Sequence, residues 1–126
     1  MAKTLLLAES NEEVRKMLRC ILERSDFRVL EAQDGREAVQ LGRAHPGAID
    51  LLVLDAVLPP LTAPQLAQHM MALRPELKVI YMSGYTEDIL GEQQLLLRTV
   101  PFLQKPFSPS LLLDAVRAAL AQQQRS

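Results

Sequence analysis

Short runs of apolar residues recur along the chain at fairly even spacing, with few polar residues inside them. Continuous Leu, Val and Ile of this kind are typical of strands that are buried on both faces of a parallel sheet. The predicted strands are Thr4–Ala8, Arg28–Ala32, Ile49–Asp55, Lys78–Met82 and Pro101–Gln104.

Between the predicted strands, apolar residues follow the spacing of amphipathic helices. In the first of these segments Val14, Leu18 and Leu22 fall on one face, and Asn11 is placed to cap the helix. Asp34 is expected to cap a second helix, and further helices are predicted at about 64–73, about 87–97 and from 108 onward. This alternation predicts an α/β domain, a parallel sheet with helices on both faces.

Length and charge narrow the class of protein. The chain has 126 residues, so we expect a single domain over 1–126, with its core at about 4–121 and a polar tail at 122–126. The 14 Lys and Arg nearly balance the 15 Asp and Glu, and no basic run indicates a nucleic-acid partner. No apolar run is long enough for a membrane span and no signal peptide is visible, so we expect a cytoplasmic protein. The single Cys20 excludes an internal disulfide and is expected to pack beside the apolar face of the first helix.

Residues with chemical potential follow four of the predicted strands at the same end. In sheets of this kind, ligands bind at the carboxyl ends of the strands. The residues are Glu9 after the first strand, Asp55 at the third, Ser83 at the fourth and Lys105 after the fifth. Each alone is more often a cap, a turn residue or a solvated surface group. Their shared edge favours a functional site.

These residue types together suit phosphoryl chemistry. Two nearby carboxylates, here Glu9 and Asp55, are ligands that Mg²⁺ prefers. A carboxylate beside that cation can attack phosphorus, because the metal neutralises the phosphoryl oxygens. We therefore expect Asp55 to be the nucleophile, Lys105 an electrostatic clamp and Ser83 a hydrogen-bond partner of the phosphoryl group.

Four segments in order resemble the receiver domain of two-component response regulators, over nearly the whole chain from residue 5 to about 120. They are LLVLDAVLP around Asp55, YMSGY around Ser83, FLQKPF around Lys105 and the Asp34-Gly35 turn. The resemblance implies a flavodoxin-like (βα)5 doubly wound fold with a five-stranded parallel sheet. The Ser83 and Lys105 segments are also similar to the C-terminal receivers of hybrid histidine kinases.

The resemblance further implies partners, a metal and a switch. A sensor histidine kinase or a histidine phosphotransfer protein would donate phosphate to Asp55, with Mg²⁺ held by Glu9, Asp55 and the backbone carbonyl of Val57. Ser83 and Phe102 would move together and reshape the face of the fourth helix, fifth strand and fifth helix. That face is a candidate surface for a homodimer or an output partner. Such a domain is not an enzyme beyond promoting its own aspartyl phosphorylation and dephosphorylation.

Ser10 departs from the family pattern, which usually has paired acids after the first strand. Its neutral hydroxyl makes it a weak or absent metal ligand, so we expect Mg²⁺ to bind weakly. The departure keeps a second hypothesis open, a degenerate receiver that acts as a phosphorylation-independent protein-interaction module. A flavodoxin-like or haloacid-dehalogenase-like enzyme is disfavoured, because the turn after the first strand supplies neither a phosphate loop nor a nucleophilic Asp.

Overall fold

A five-stranded parallel sheet lies at the centre of the computed structural model, which describes residues 2–55, 57–58, 61–83, 102–104 and 108–121. Its strands are β1 (Thr4–Ala8), β2 (Arg28–Ala32), β3 (Leu51–Asp55), β6 (Lys78–Ser83) and β7 (Phe102–Gln104). Their order across the sheet is β2-β1-β3-β6-β7. The strand order therefore changes direction at β1 and β3, and in open α/β sheets such a switch point forms the ligand-binding crevice.

Four helices are described in the same parts of the chain. They are α1 (Glu12–Arg24), α2 (Gly35–Ala44), α3 (Ala63–Leu73) and α4 (Pro109–Ala121). The helix predicted at 87–97 lies outside the described residues, so α4 is the fifth of the predicted helices. Both predicted caps are confirmed, because the Asn11 side chain accepts from the Val14 N–H at 3.0 Å and Asp34 from the Glu37 N–H at 2.8 Å.

The central strands separate two hydrophobic cores. Every residue of β1 and β3 is buried, as the apolar runs predict. Successive side chains of a strand point to opposite faces, so Leu6 and Leu52 pack with the residues of α2 and α3. Leu7 and Val53 pack on the other face with the residues of α1 and α4. The helices cover both faces of the sheet, so a site can form at the carboxyl ends of the strands.

Arg74 holds the end of α2 and the loop that leads into β3. This loop lies at the end of the sheet opposite to the end that carries Asp55. The Arg74 guanidinium, just after α3, donates to the carbonyl oxygens of Gly42, His45 and Gly47 at 2.9, 2.6 and 2.8 Å. A Cβ atom on Gly42 would lie only 2.7 Å from Met70 Cε, so α2 and α3 are closely packed here. These contacts hold the segment that positions β3, whose far end carries Asp55.

Several details differ from the sequence-based expectation. Strand β3 begins at Leu51 rather than at Ile49, and β6 ends at Ser83 rather than at Met82. The expected packing of Cys20 is wrong, because the residue is exposed. Each residue advances about 100° around an α-helix, so Cys20 lies about 200° from the buried Leu18. The strand pair β4 (Val57–Leu58) and β5 (Leu61–Thr62) was not predicted either, and the two strands pair antiparallel directly after β3. Two-residue strands carry too short a pattern to be read from sequence.

Candidate functional site

Two buried acidic residues lie at the carboxyl ends of the adjacent strands β1 and β3. Ala8 pairs with Leu54 in the parallel register, so Glu9 and Asp55 follow at neighbouring positions of adjacent strands. Glu9 is only 1% exposed and Asp55 only 9% exposed. Acidic side chains are rarely buried to this extent unless other groups interact with them. The placement agrees with the predicted acidic edge.

Glu9 is held through its backbone and through its carboxylate. Its N–H donates to the Ala32 carbonyl oxygen at 3.0 Å, and its own carbonyl oxygen accepts from Arg15 Nη1 at 2.9 Å. The carboxylate oxygen Oε2 accepts from the Asn11 N–H at 3.1 Å. The turn after β1 therefore presents this acid in one defined position.

Arg15 was not predicted from the sequence as a residue of this site. Its side chain is 13% exposed, and its Nε atom lies 3.3 Å from Glu31 Oε1 on β2. Glu31 Oε2 also accepts from Arg19 Nη1 at 2.6 Å. The available signals were an arginine beside the apolar face of α1 and an acid, Glu31, between apolar residues of β2. Pairing the two requires the packing of α1 beside β2, which neither signal contains.

The structure describes all of the other predicted site residues except Lys105. Ser10 is exposed in the turn after β1, and Val57 lies in β4, two residues after Asp55. Asp55 pairs with Met82 of β6, so the backbone of Ser83 comes one residue later at the same edge. Phe102 begins β7, where its backbone pairs with Tyr81. Lys105 lies outside the described residues.

The donor set at this edge suits Mg²⁺. In proteins Mg²⁺ is held by one or two carboxylates while several waters complete an octahedron. Glu9 and Asp55 supply two buried carboxylates from adjacent strands. Within the described ranges, no group of three His, Cys, Asp or Glu side chains forms a metal cluster. Two carboxylates match the number that a hydrated Mg²⁺ ion usually takes from a protein, so Glu9 and Asp55 fit such a cation.

A doubly wound parallel α/β sheet with two buried acids at the carboxyl ends of its central strands is a flavodoxin-like fold. The family model of the response regulator receiver domain matches residues 5–117, and the chain belongs to this family. It is a receiver module of two-component signalling, as the sequence motifs predicted. The degenerate alternative is not favoured by these comparisons.

Curated relatives come from response regulators and from a sensor kinase. Response regulator GtcR of Aneurinibacillus migulanus is 36% identical over 129 residues, which cover 100% of this chain and 50% of the relative. Sensor kinase CckA of Brucella abortus (strain 2308) is 32% identical over 120 residues, covering 95% of this chain and 13% of the relative. The chain thus spans half or less of the length of these two proteins.

Solved structures show the same fold. The receiver domain of the hybrid histidine kinase CckA superposes with a TM-score of 0.78 at 29% identity, covering 93% of this chain and 98% of that chain. A response regulator receiver protein from Sinorhizobium medicae WSM419 gives a TM-score of 0.84 at 24% identity, with 98% of both chains covered. Across the part of the chain that the structure describes, no helix is long and apolar enough to cross a membrane.

Proposed function

We propose that Asp55 is the phosphoacceptor of this receiver. The observation that carries the proposal is the pair of buried carboxylates, Glu9 and Asp55, at the carboxyl ends of adjacent central strands. Asp55 closes a fully buried strand, so the rigid sheet fixes its backbone while its side chain lies at the edge where ligands bind. A nucleophile needs such a fixed position at the edge where its substrate binds.

Transfer of the phosphoryl group to Asp55 is a single displacement at phosphorus. An Asp55 carboxylate oxygen attacks phosphorus, the bond between phosphorus and the donor atom breaks, and its electron pair leaves with the donor group. Lys105 would neutralise charge on the phosphoryl oxygens, and Ser83 would donate a hydrogen bond to one of them. The same groups would serve the later attack of water on the aspartyl phosphate, so the domain would promote both its own labelling and its own dephosphorylation.

Mg²⁺ is the proposed cofactor, with Glu9, Asp55 and the Val57 carbonyl as its protein ligands. When bound, the cation neutralises charge on the phosphoryl oxygens. Ser10 is exposed and offers only a hydroxyl, so Glu9 carries the acidic share of the turn after β1. Because Glu9 is already fixed by the Asn11 N–H at 3.1 Å, it needs little reordering to bind a cation. We expect this smaller set of acids to bind Mg²⁺ weakly.

The proposed donor is a sensor histidine kinase or a histidine phosphotransfer protein in the cytoplasm. Relatives named as response regulators and a sensor kinase support such a relay, with the receiver either separate or part of a hybrid kinase. Coupled movement of Ser83 and Phe102 would carry the signal to a homodimer or an output partner. Part of that proposed surface, the predicted helix at 87–97, lies outside the described residues.

Acetyl phosphate with Mg²⁺, followed by intact-mass measurement, tests the phosphoacceptor. The wild type should gain one phosphoryl group, and Asp55→Asn should gain none. Asp50→Asn is a matched control, since Asp50 directly precedes the same strand but lies at its opposite end, where Oδ2 accepts from the Thr4 N–H at 2.8 Å. Equal labelling of wild type and Asp55→Asn would refute the assignment.

A further inference from the structure

The turn that carries Glu9 is braced by a side chain from the second turn of α1. Arg15 Nη1 donates to the Glu9 carbonyl oxygen at 2.9 Å, while Arg15 Nε donates to Glu31 on β2 at 3.3 Å. One planar guanidinium thus links the helix, the turn and the neighbouring strand. Its side chain is 13% exposed, so it is largely packed within the fold rather than extended into solvent.

We infer that Arg15 is a positioning residue, which orients Glu9 for Mg²⁺ through the peptide that joins Glu9 to Ser10. This inference rests on the proposed function. The peptide is planar, so fixing the Glu9 carbonyl also fixes the direction of the Ser10 N–H and the backbone from which the Glu9 side chain departs. The Asn11 N–H then holds Glu9 Oε2 at 3.1 Å. Two independent hydrogen bonds therefore define where the acid lies.

Glu31 determines how the arginine is held. Both of its carboxylate oxygens are used, Oε1 by Arg15 at 3.3 Å and Oε2 by Arg19 at 2.6 Å. Arg15 uses two different nitrogens of its rigid, planar guanidinium, Nε for Glu31 and Nη1 for the Glu9 carbonyl, so the two contacts together define the orientation of the group. Lysine, with a single ammonium on a flexible stem, does not reproduce such a fork.

The positive charge of Arg15 acts on Mg²⁺ affinity in the direction opposite to its positioning role. A guanidinium near the acidic edge repels a dication, so removing its charge alone would tighten Mg²⁺ binding. Glu31 offsets much of that charge, and partners that orient a metal ligand are typically worth about 10- to 100-fold in metal affinity. Positioning and repulsion therefore predict changes in opposite directions for the same substitution.

Mg²⁺ titration of the whole chain by calorimetry separates the two effects. Arg15→Met should weaken Mg²⁺ binding by about tenfold. Arg19→Met is the control, because it removes the same charge and a contact with Glu31 but no contact with Glu9; it also removes an exposed ion pair with Glu23 at 3.5 Å. Its affinity should stay within about twofold. Arg15→Lys keeps the charge and should remain weaker than the wild type. In the metal-free protein, the amide NMR signals of Ser10 and Asn11 should shift in Arg15→Met and not in Arg19→Met.

Other outcomes of these measurements would overturn the positioning role of Arg15 or the metal site itself. Mg²⁺ affinity in Arg15→Met that equals or exceeds that of Arg19→Met would overturn the positioning role, as would full recovery in Arg15→Lys. If Arg15→Met does not fold, Glu31→Gln tests the same brace in the metal-free protein, where the charge of Glu31 does not act on a cation: the Ser10 and Asn11 amide signals should shift, and unmoved signals would overturn the positioning role. Wild-type binding of Mg²⁺ that Asp55→Asn leaves unaltered would instead refute the metal site under "Proposed function".

Discussion

Among the described residues of the core, Tyr81 carries a polar group that is buried without a hydrogen bond. It is fully buried in the core shared with α2 and α3, and its hydroxyl has no hydrogen-bond partner in the part of the chain that the structure describes. Leaving a buried donor unpaired costs about 1–3 kcal/mol relative to a paired or absent group. Burial also raises the pKa of Tyr81 from 10.0 to about 12, since the ionised phenolate is poorly solvated there.

We expect Tyr81→Phe to stabilise the domain by about 1 kcal/mol at neutral pH, because it removes the unpaired hydroxyl and keeps the ring. Alkaline pH should enlarge the difference. Above pH 10 the unfolded chain loses the phenolic proton while the folded state retains it up to about 12, so wild-type stability falls across that range. The loss amounts to about 2–3 kcal/mol at about 1.4 kcal/mol per unit of pKa difference.

Urea unfolding at a series of pH values measures both effects. The wild type should lose stability more steeply than Tyr81→Phe between pH 10 and 12. Other alkaline groups titrate equally in both proteins and cancel in the comparison. Parallel curves would show that the Tyr81 hydroxyl is solvated or paired in solution.

At the scale of an element, the C-terminus of α1 ends in a Schellman motif. The Phe27 N–H donates to the Leu22 carbonyl at 3.2 Å and the Asp26 N–H to the Glu23 carbonyl at 3.1 Å. Phe27 and Leu22 also pack in the same core, a hydrophobic contact that frequently accompanies this motif. Asp26 occupies the left-handed position with φ of 68°, a conformation that favours glycine. Its carboxylate also lies unfavourably at the negative end of the helix dipole.

Asp26→Gly should therefore raise the free energy of unfolding by about 0.5–1 kcal/mol, even though it increases the freedom of the unfolded chain. Asp26→Ala is the matched control, because it removes the carboxylate but keeps a Cβ atom in the strained conformation. It should be less stable than Asp26→Gly. Denaturant midpoints of the three proteins decide the matter, and equal midpoints for both variants would place the whole effect in the charge.

At the scale of the molecule, a cation at the edge of β1 and β3 should stabilise the entire fold. A ligand that binds only the folded state adds RT ln(1 + [L]/Kd), about 2.7 kcal/mol at about 100 times its Kd. The gain reaches the whole domain because β1 and β3 are central strands that face both cores. Unfolding of the sheet and loss of the site are therefore one event.

Ser10→Asp provides the corresponding prediction. A carboxylate added beside Glu9 and Asp55 should lower stability without metal and tighten Mg²⁺ binding by about tenfold, or about 1.4 kcal/mol. Thermal unfolding with and without Mg²⁺ measures both changes, and Asp55→Asn should remove most of the metal effect. Unchanged or weaker Mg²⁺ binding in Ser10→Asp would show that Glu9, one methylene longer than Asp, already occupies the ligand position.

Much of the fold, and the position of Asp55 at a strand end, follow from local sequence pattern. Continuous apolar runs predict strands buried on both faces, and β1 and β2 begin and end where those runs do. The Asn11 and Asp34 caps are equally local, since each needs only its own side chain and an N–H three residues ahead. Asp55 at the end of a buried strand was visible for the same reason. Periods, caps and strand ends are properties of a few consecutive residues.

Only the tertiary structure decided which of these elements meet. The order β2-β1-β3 brings Glu9 beside Asp55 across 46 positions of sequence separation (55 − 9), and the packing of α1 beside β2 brings Arg15 to Glu31 and to the Glu9 carbonyl. The exposure of Cys20 was likewise settled by the direction in which α1 presents its buried face. Sequence periodicity determines how each segment folds and which side is apolar. It does not contain the distances between segments, because those arise when crossover connections and side-chain volumes are satisfied together in one packed core.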